Sequence, residues 1–237
     1  MNDPFKVPSG HFPGSLEEKR KYPVIRTENI TFDLLREAYW NGYFPWPDNN
    51  SGIPWVAPPE RGLIPMDRFH VPHTVKRMIK KGTFELRIDT VFEEVIHHCS
   101  NRKDDETWIT PEVISAYTEF HREGWAHSFE AWNRETGTLA GGLYGVSIGQ
   151  LFAGESMFFR ETGASKFALA MLGTVLSELG VKLLDTQMVT PTTELFGAEY
   201  YSGEEYLECV PYLRGKPFST QQLRDAAEKL RICYAEK

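Results

Sequence analysis

Cysteine is scarce in this 237-residue sequence, which has only Cys99, Cys209 and Cys233. Three widely separated cysteines without a Cys-x-x-Cys pair argue against a disulfide framework or a zinc site and favour a reducing cytoplasm. Hydrophobic runs are short as well, because no stretch approaches the ~18 apolar residues of a membrane span. The opening residues, MNDPFKVPSGHFPG, lack the apolar core of a signal peptide. We therefore expect a cytoplasmic protein without a bound metal or a membrane partner.

Apolar residues are nevertheless sufficient for a folded core. They make up 41% of the chain, and aromatic residues alone make up 13%. This composition excludes disorder throughout the chain, because enough apolar surface is present to offset the entropy of ordering. The length fits one large domain, or one domain with a small appendage.

Acidic residues outnumber basic ones, and the formal net charge of −7 argues against a protein that coats nucleic acid nonspecifically. Residues 61–90 reverse this balance, with seven basic residues against three acidic ones. Five cations in that region form what we call the basic patch: Arg68, Lys76, Arg77, Lys80 and Lys81. The basic patch is either the solvated face of a helix or a surface that binds phosphate groups.

A proline-rich segment, PWVAPPERGLIP at residues 54–65, divides the chain. Proline disfavours both a helix and a central strand, so we interpret this segment as a connection between domains. A short helix that Thr31 caps and Gly42 ends precedes it. We expect a small N-terminal α/β domain over residues 1–61 and a larger domain over residues 62–237.

The larger domain combines a strand meander with flanking helices. Two capping boxes mark helix starts, one from Thr90 to Glu93 and one from Ser219 to Gln222. The periodicity of apolar residues predicts these further elements: helices over 73–81, 111–123 and 164–179, and strands over 84–89, 127–132, 138–148, 150–159 and 181–187. The sequence therefore predicts an α+β fold with a mixed sheet flanked by helices.

Two strands carry acidic and amide side chains within otherwise apolar runs. In GESMF, alternation places Glu155 and Met157 on one face. A buried unpaired carboxylate costs several kcal/mol, so Glu155 points into a cleft, has a partner, or faces solvent from an edge strand. In LLDTQ, Asp185 and Gln187 share a face at a strand end, where open sheets present functional groups. They are either a proton-handling pair or a capping Asp beside a satisfied Gln.

Two further features bear on ligands. The segment from Arg160 to Ser165 nearly matches the loop by which N-acetyltransferases hold acetyl-CoA, although a strand-to-helix turn that needs Gly163 explains it equally well. Trp46 and Trp108 lie beside Pro, Gly and polar residues, in predicted loops. Tryptophans in loops can stack a nucleobase, whereas core packing is the more usual role.

Taken together, the motifs of this sequence resemble those of the leucyl/phenylalanyl-tRNA–protein transferases. The resemblance covers roughly residues 33–200 and rests on these motifs in their order and spacing: GYFPW (42–46), TWI (107–109), AY-x-x-x-H-x-x-G-x-AHS-x-E-x-W (116–132), GGLYGV-x-IG-x-x-F-x-GESMF (141–158), ASK-x-AL (164–169) and D-x-Q (185–187).

The resemblance implies a larger domain with an acetyltransferase-like (GNAT-type) fold. It also implies transfer of Leu, Phe or, less well, Met from a charged tRNA to an N-terminal Arg or Lys of an acceptor protein. The new N-terminus would mark that protein for N-end-rule degradation. The reaction needs no cofactor, and we expect the enzyme to be a monomer.

The resemblance also implies residue roles. Asp185 and Gln187 match the proton-relay pair, and Trp46 and Trp108 match the aromatics that hold the terminal adenosine of the tRNA. We expect an aminoacyl pocket formed by Glu155, Met157, Leu143 and Leu183. In this pocket, Glu155 either lies near the rim of an apolar site or recruits a cationic side chain such as Arg.

The sequence departs from the family pattern before the first helix, at Ala57, and around residues 192–196. These departures leave the preferred amino acid and acceptor open. Two other functions therefore stay under consideration: an acetyl-CoA-dependent N-acetyltransferase, and a noncatalytic module that binds tRNA or protein N-termini.

Overall fold

A computed structural model describes residues 12–46, 48, 52–101 and 107–235, with the backbone alone for residues 231–235. Residues 1–11, which carry most of the segment that argued against a signal peptide, lie outside the described residues. Nine helices occur in the described part of the chain: α1 Leu16–Lys21, α2 Phe32–Trp40, α3 His73–Lys81, α4 Phe92–Ser100, α5 Pro111–Arg122, α6 Ala164–Glu178, α7 Pro191–Glu194, α8 Gly203–Leu213 and α9 Thr220–Ala235.

Ten strands accompany these helices within the same described ranges: β1 Val24–Thr27, β2 Phe44–Pro45, β3 Ile53–Val56, β4 Glu60–Pro65, β5 Phe84–Ile88, β6 Ala126–Asn133, β7 Leu139–Ile148, β8 Leu151–Phe159, β9 Leu183–Gln187 and β10 Glu199–Ser202. They form a three-stranded sheet in the order β1-β3-β2 and a seven-stranded sheet in the order β10-β4-β9-β8-β7-β6-β5. Every pairing is antiparallel except β8 with β9, which is parallel.

Apolar side chains cover both faces of the seven-stranded sheet. One core cluster joins the sheet to α2, α4 and α5 and contains Tyr39, Tyr117 and Phe120. The other joins the sheet to α3, α6 and α9 and contains Val75 and Leu172. The α+β class, the small N-terminal part and the larger mixed sheet flanked by helices are therefore confirmed.

The expectation that the proline-rich segment contains no central strand was wrong. Residues 53–56 form β3, and residues 60–65 form β4, which lies between β10 and β9 in the large sheet. Three of the four prolines avoid strand interiors, because Pro58 and Pro59 fall between the two strands and Pro65 is the last residue of β4, whereas Pro54 lies within β3. The predicted division at residue 61 falls inside β4, and the two-domain boundary stays a prediction.

A membrane-spanning helix and a cluster of metal-binding side chains are both absent from the same described ranges. None of the helices there combines the length and the apolar character that crossing a membrane requires. No group of three or more His, Cys, Asp and Glu side chains in those ranges is arranged to hold a metal ion.

Candidate active site

A cavity opens at the point where the parallel strands β8 and β9 separate. Their ladder ends at the pair of Ala153 and Asp185. The residues that follow this pair along each strand line a cleft instead of bonding to each other. The cavity has a volume of about 220 Å³. Carboxyl ends of strands at such a separation are the usual place for a ligand in an open sheet. Sixteen residues line it: Trp46, Trp108, Leu143, Tyr144, Gly154, Glu155, Ser156, Met157, Leu169, Leu172, Leu184, Thr186, Gln187, Met188, Thr190 and Thr193.

A β-bulge in β8 places Glu155 at this cavity. The register with β7 shifts there, because Tyr144 pairs with Ser156 whereas Gly145 pairs with Gly154. Glu155 is the extra residue, and the alternation of side chains breaks at it. Met157 consequently packs with the cluster that contains α6, while Glu155 contacts Tyr117 of the opposite cluster. The predicted shared face of Glu155 and Met157 is therefore not observed, although both residues line the cavity.

Asp185 lies beneath the cavity in a fully buried ion pair with Arg61. The guanidinium donates two hydrogen bonds, Nε to Oδ1 at 2.9 Å and Nη2 to Oδ2 at 2.6 Å, and the two side chains are 1% and 0% exposed. The rings of Phe44 and Tyr206 flank the guanidinium, and the Tyr206 hydroxyl donates to Asp185 Oδ2 at 2.8 Å. Desolvation acts to lower the pKa of Arg61, but the Asp185 carboxylate holds that pKa above its ordinary value. Asp185 is thus engaged on both oxygens.

Gln187 lies above Asp185 in a strained turn. Its φ is +62°, a left-handed conformation that glutamine rarely adopts, and Met188 N donates to Thr186 O across it at 2.6 Å, which closes a γ-turn. Asp185 Oδ1 accepts the backbone N–H of Gln187 at 2.9 Å. A Cβ at Gly62 would lie 2.4 Å from the Met188 carbonyl carbon, so only glycine allows β4 to pass so close to this turn. Strain of this kind is typical of functional positions.

The side chain of Gln187 turns away from Asp185 and towards Glu155. Its Nε2 donates to Glu155 Oε1 at 2.9 Å. The sequence analysis paired Gln187 with the carboxylate of Asp185. In the structure Asp185 holds the backbone of Gln187, and Glu155 holds its amide.

Glu155 is enclosed by hydroxyl and amide groups. Tyr117 donates to its Oε2 at 3.3 Å, and Tyr39 of α2 hydrogen-bonds to the Tyr117 hydroxyl behind it. Desolvation raises the pKa of Glu155 to about 7, whereas hydrogen bonds from Tyr39 and Gln187 lower it. A carboxyl group that titrates near neutrality inside a cleft is characteristic of functional sites.

The two predicted adenosine-binding tryptophans lie together at this cavity. The Trp46 and Trp108 rings are nearly parallel, with an interplanar angle of 16° and a centroid separation of 6.5 Å. Trp46 is 36% exposed, so its ring remains accessible for stacking. The role of the two tryptophans in holding the terminal adenosine stays a prediction.

The apolar part of the cavity differs in one residue from the sequence expectation. Leu143 and Met157 line it, but Leu183 does not. Strand alternation places Leu184 and Thr186 at the cavity, and Leu183 faces the opposite core cluster. Leu169 and Leu172 of α6 complete the wall, and the apolar pattern of that helix gave no sign of which residues would face a ligand.

Two other functional neighbours escaped the sequence analysis. Arg61 was assigned to a connecting segment, and Tyr206 lies in α8, a helix that was not predicted. The one available signal was that Arg61 comes directly before the apolar run Gly-Leu-Ile. This position suggests a buried arginine, which requires an acidic partner.

The basic patch lies on the exposed side of α3 and in the loop before it. All five residues are exposed, and none of them lines the cavity. Arg68 pairs with Glu199 and contacts the Tyr201 hydroxyl. Within the described ranges, no carboxylate lies within ion-pair distance of the four cations of α3.

A second cavity of about 520 Å³ lies beside the edge strand β5, between α3, α6 and α9. It is larger than the first but is lined by none of the predicted site residues.

The loop from Arg160 to Ser165 forms the start of α6. Its Gly163 caps that helix with φ +91°, and Arg160 bonds to His98. We therefore take the smaller cavity, where the strained turn and the titratable carboxyl meet, as the candidate site.

Comparison with known proteins identifies a family over most of the chain. The family model for leucyl/phenylalanyl-tRNA protein transferase matches residues 63–211, and the model for the N-terminal domain of these proteins matches residues 28–59. A leucyl/phenylalanyl-tRNA–protein transferase of Salinibacter ruber is 47% identical over 171 residues, which cover 72% of this chain and 74% of that protein. Its counterpart in Akkermansia muciniphila is 44% identical over 76% of this chain and 93% of that protein.

Solved structures give weaker matches. A GCN5-related glucosamine N-acetyltransferase region of a fungal β-N-acetylglucosaminidase has a TM-score of 0.43 at 13% identity, over 68% of this chain and 21% of that one. L-PGS from Bacillus licheniformis has a TM-score of 0.41 at 10% identity, over 84% and 75% of the two chains.

Proposed function

The chain belongs to the leucyl/phenylalanyl-tRNA–protein transferase family, and on that premise we propose how it acts, on which substrates and through which residues. It is an aminoacyltransferase that moves Leu or Phe from a charged tRNA to a protein. We propose that Met is a poorer donor, that acceptors begin with Arg or Lys, and that the product is marked for N-end-rule degradation. We also propose that it acts in the cytoplasm, where charged tRNA occurs, and that it is a monomer.

The reaction is the aminolysis of an ester. The N-terminal amine of the acceptor attacks the carbonyl carbon of the aminoacyl group, a C–N bond forms, and the C–O bond to the terminal ribose breaks. The amine loses a proton, and the ribose hydroxyl gains one. Because the ester is already activated, alignment of the two substrates contributes much of the rate enhancement.

We propose that Gln187 contacts the attacking amine and Asp185 does not. Gln187 lines the cavity, whereas Asp185 is fully buried with both oxygens hydrogen-bonded. The Gln187 carbonyl oxygen would accept a hydrogen bond from the amine and so orient its lone pair towards the ester carbon. Asp185 would act as a positioning residue that holds the strained Gln187 backbone.

The apolar wall supports Leu, Phe and Met as transferred side chains. Leu143, Met157, Leu169, Leu172 and Leu184 line the cavity, and a flexible thioether among γ-branched leucines adapts to side chains of different shape. Val and Ile would place a β-methyl against the wall. The discrimination against them would be modest, about 10- to 200-fold.

We propose that the rest of the tRNA binds outside the cavity. Trp46 and Trp108 would stack on the terminal adenosine, where each base contact contributes ~1–3 kcal/mol. The basic patch would contact phosphates of the acceptor stem. Phosphate contacts position a nucleic acid without reading its sequence, so selection among tRNAs would occur at the aminoacyl end.

The single observation that carries this proposal is the convergence of Gln187, the Trp46–Trp108 pair and the apolar wall on one cavity. The N-acetyltransferase alternative rested on the 160–165 loop, whose arginine bonds to His98 in this structure. The noncatalytic alternative leaves the strained turn at Gln187 without a use.

A transfer assay with labelled aminoacyl-tRNAs tests the proposal. We expect label from Leu- and Phe-tRNA on a peptide that begins with Arg, less from Met-tRNA, and little from Ile-tRNA or with an otherwise identical peptide that begins with Gly. Better transfer of Arg than of Leu would overturn the substrate assignment. Acetylation of the peptide by acetyl-CoA without aminoacyl transfer would favour the N-acetyltransferase, and tRNA binding without any transfer would favour the binding module.

A further inference from the structure

Glu155 occupies a position from which it can control Gln187. The β8 bulge carries its carboxylate across the point where β8 and β9 separate. There Oε1 accepts Gln187 Nε2 at 2.9 Å, and Oε2 accepts the Tyr117 hydroxyl at 3.3 Å. Both oxygens of Glu155 are thus engaged by the protein.

The Gln187 side chain has one freedom that its backbone contacts do not remove. Asp185 accepts the Gln187 backbone N–H, and the γ-turn fixes the direction in which the side chain leaves the backbone. The terminal amide can still rotate and exchange its oxygen with its NH₂ group. These two ends have opposite chemistry, since the oxygen accepts a hydrogen bond and the NH₂ group only donates.

The acceptor amine requires one of these two orientations. An attacking amine donates its N–H to the Gln187 oxygen, which leaves its lone pair free, whereas an NH₂ group in that place would donate to the lone pair that must attack the ester. An ionised carboxylate is acceptor-only, so ionised Glu155 holds the NH₂ end and leaves the oxygen for the cavity. A protonated Glu155 can donate to the oxygen instead, which permits the opposite orientation.

We propose that Glu155 is a positioning residue that fixes the orientation of the Gln187 amide, so that its oxygen faces the incoming amine. This inference rests on the proposed function, because it takes Gln187 as the group that contacts the amine. Asp185 then holds the backbone of Gln187, and Glu155 holds the side-chain amide of the same residue.

The surroundings of Glu155 make this orientation sensitive to pH. Tyr39 and Tyr117 face it from α2 and α5, Gln187 and Asp185 face it from β9, and Arg61 lies beyond them on β4. Desolvation raises its pKa to about 7 and the charge of Asp185 adds to the rise, against the hydrogen bonds and the charge of Arg61. The competent orientation therefore becomes populated as the pH rises through about 7.

A double-mutant cycle between Glu155→Gln and Gln187→Ala tests the proposal. Single-turnover transfer of Leu to an Arg-starting peptide is measured from pH 6 to pH 8, with Glu119→Gln, an exposed glutamate of α5, as the control. The acceptor amine titrates in this range as well, but its contribution is the same for every variant and cancels in the ratio of rates.

The proposal predicts three results. Glu155→Gln slows transfer at pH 8, because a glutamine can hold the Gln187 amide in either orientation. The ratio of wild-type to Glu155→Gln rates rises from pH 6 to pH 8 by up to about tenfold, which is the change in the ionised fraction of a group with a pKa near 7. In the Gln187→Ala background, Glu155→Gln has no further effect, because the residue through which Glu155 acts is gone.

Two outcomes would overturn it. A wild-type-to-variant ratio that does not change with pH would remove the role of ionisation, and an equal loss in the Gln187→Ala background would make Glu155 act on substrate directly. Absence of transfer by the wild-type protein would instead contradict the proposed function.

Removal of the desolvated charge of Glu155 is expected to leave the fold intact. If Glu155→Gln is nonetheless unstable, Glu155→Asp keeps a carboxylate and must retain the pH dependence.

Discussion

Arg61 and Asp185 form an ion pair that water does not reach. The two side chains are 1% and 0% exposed, and Tyr206 and the Gln187 backbone fill the remaining positions on the carboxylate. Replacing both partners of such a pair can be neutral, but removing one leaves an uncompensated buried charge. At this residue scale, the strained turn at Gln187 and the stability of the fold depend on the same carboxylate.

We predict that Arg61→Ala lowers the free energy of unfolding by ~3–5 kcal/mol, because it strands the Asp185 carboxylate. Denaturant unfolding measures the loss. The matched control is Arg122→Ala, which breaks an exposed pair with Glu93 and leaves the midpoint unchanged. If both variants unfold alike, the buried pair is not a structural anchor.

The same ion pair limits what substitution of Asp185 can reveal. Asp185→Ala would leave the Arg61 guanidinium unpaired in the core and would confuse loss of folding with loss of transfer. Gln187 is the better probe, because its side chain lines the cavity and its removal leaves the ion pair in place.

At the scale of elements, a glutamate on one strand caps a helix from a different part of the chain. Glu130 of β6 is fully buried. It accepts hydrogen bonds from Thr90 N at 2.8 Å and from Val91 N at 3.0 Å, at the start of α4. The Thr90 hydroxyl, the Ser128 hydroxyl and the Trp132 indole N–H also donate to it. A carboxylate at a helix N-terminus accepts hydrogen bonds from unpaired N–H groups and interacts favourably with the positive end of the helix dipole.

This arrangement replaces the capping box predicted from Thr90 and Glu93. The helix begins at Phe92 without a side-chain cap from its own sequence, and Glu93 pairs with Arg122 instead. The prediction was wrong because a tertiary acceptor outcompeted the local one. The capping box from Ser219 to Gln222, where no such competitor exists among the described residues, is confirmed.

We predict that Glu130→Gln destabilises the protein by about 1–3 kcal/mol, because an amide cannot accept from all five donors. Thermal and denaturant unfolding measure the change. Glu93→Gln removes the acid of the capping box that the sequence suggested and breaks only an exposed ion pair with Arg122, so it should leave stability unchanged. A larger effect for Glu93 than for Glu130 would show that the local cap is the one that matters.

Most elements of the larger domain could be predicted from periodicity, whereas the site could be predicted only in part. The bounds of α3 agree with the prediction, as do the three strands of the meander to within a few residues. The bulge at Glu155 and the left-handed turn at Gln187 could not be foreseen, because both depend on contacts between strands distant in sequence. The role of Arg61 was hidden for the same reason.

At the scale of the whole molecule, charge is unevenly distributed. The chain has a net charge of −7, while the exposed face of α3 carries four cations without a carboxylate within ion-pair distance in the described ranges. A tRNA approaching this protein would meet repulsion over most of the surface and attraction at the basic patch. We therefore expect weak tRNA binding with a marked salt dependence.

We predict that Lys80→Glu/Lys81→Glu weakens the binding of all tRNAs alike and lowers the salt slope by roughly one unit for each phosphate that the variant no longer neutralises. Binding titrations over a range of salt concentrations measure both effects. Lys21→Glu/Lys216→Glu changes the net charge equally at exposed lysines outside the basic patch and should have a much smaller effect. Equal effects of the two pairs would indicate a response to net charge, and the basic patch would then be an ordinary solvated face.

The central claim is that transfer occurs in the cavity between β8 and β9 and depends on the Gln187 side chain. The most direct measurement is the single-turnover rate of Leu transfer by Gln187→Ala at saturating Leu-tRNA, together with its affinity for that tRNA. We predict a rate at least ~100-fold below that of the wild type, the range expected when a group that aligns the attacking amine is removed. Affinity should be retained, and Gln221→Ala, an exposed glutamine of α9, should behave as wild type. A normal rate in Gln187→Ala would contradict the claim.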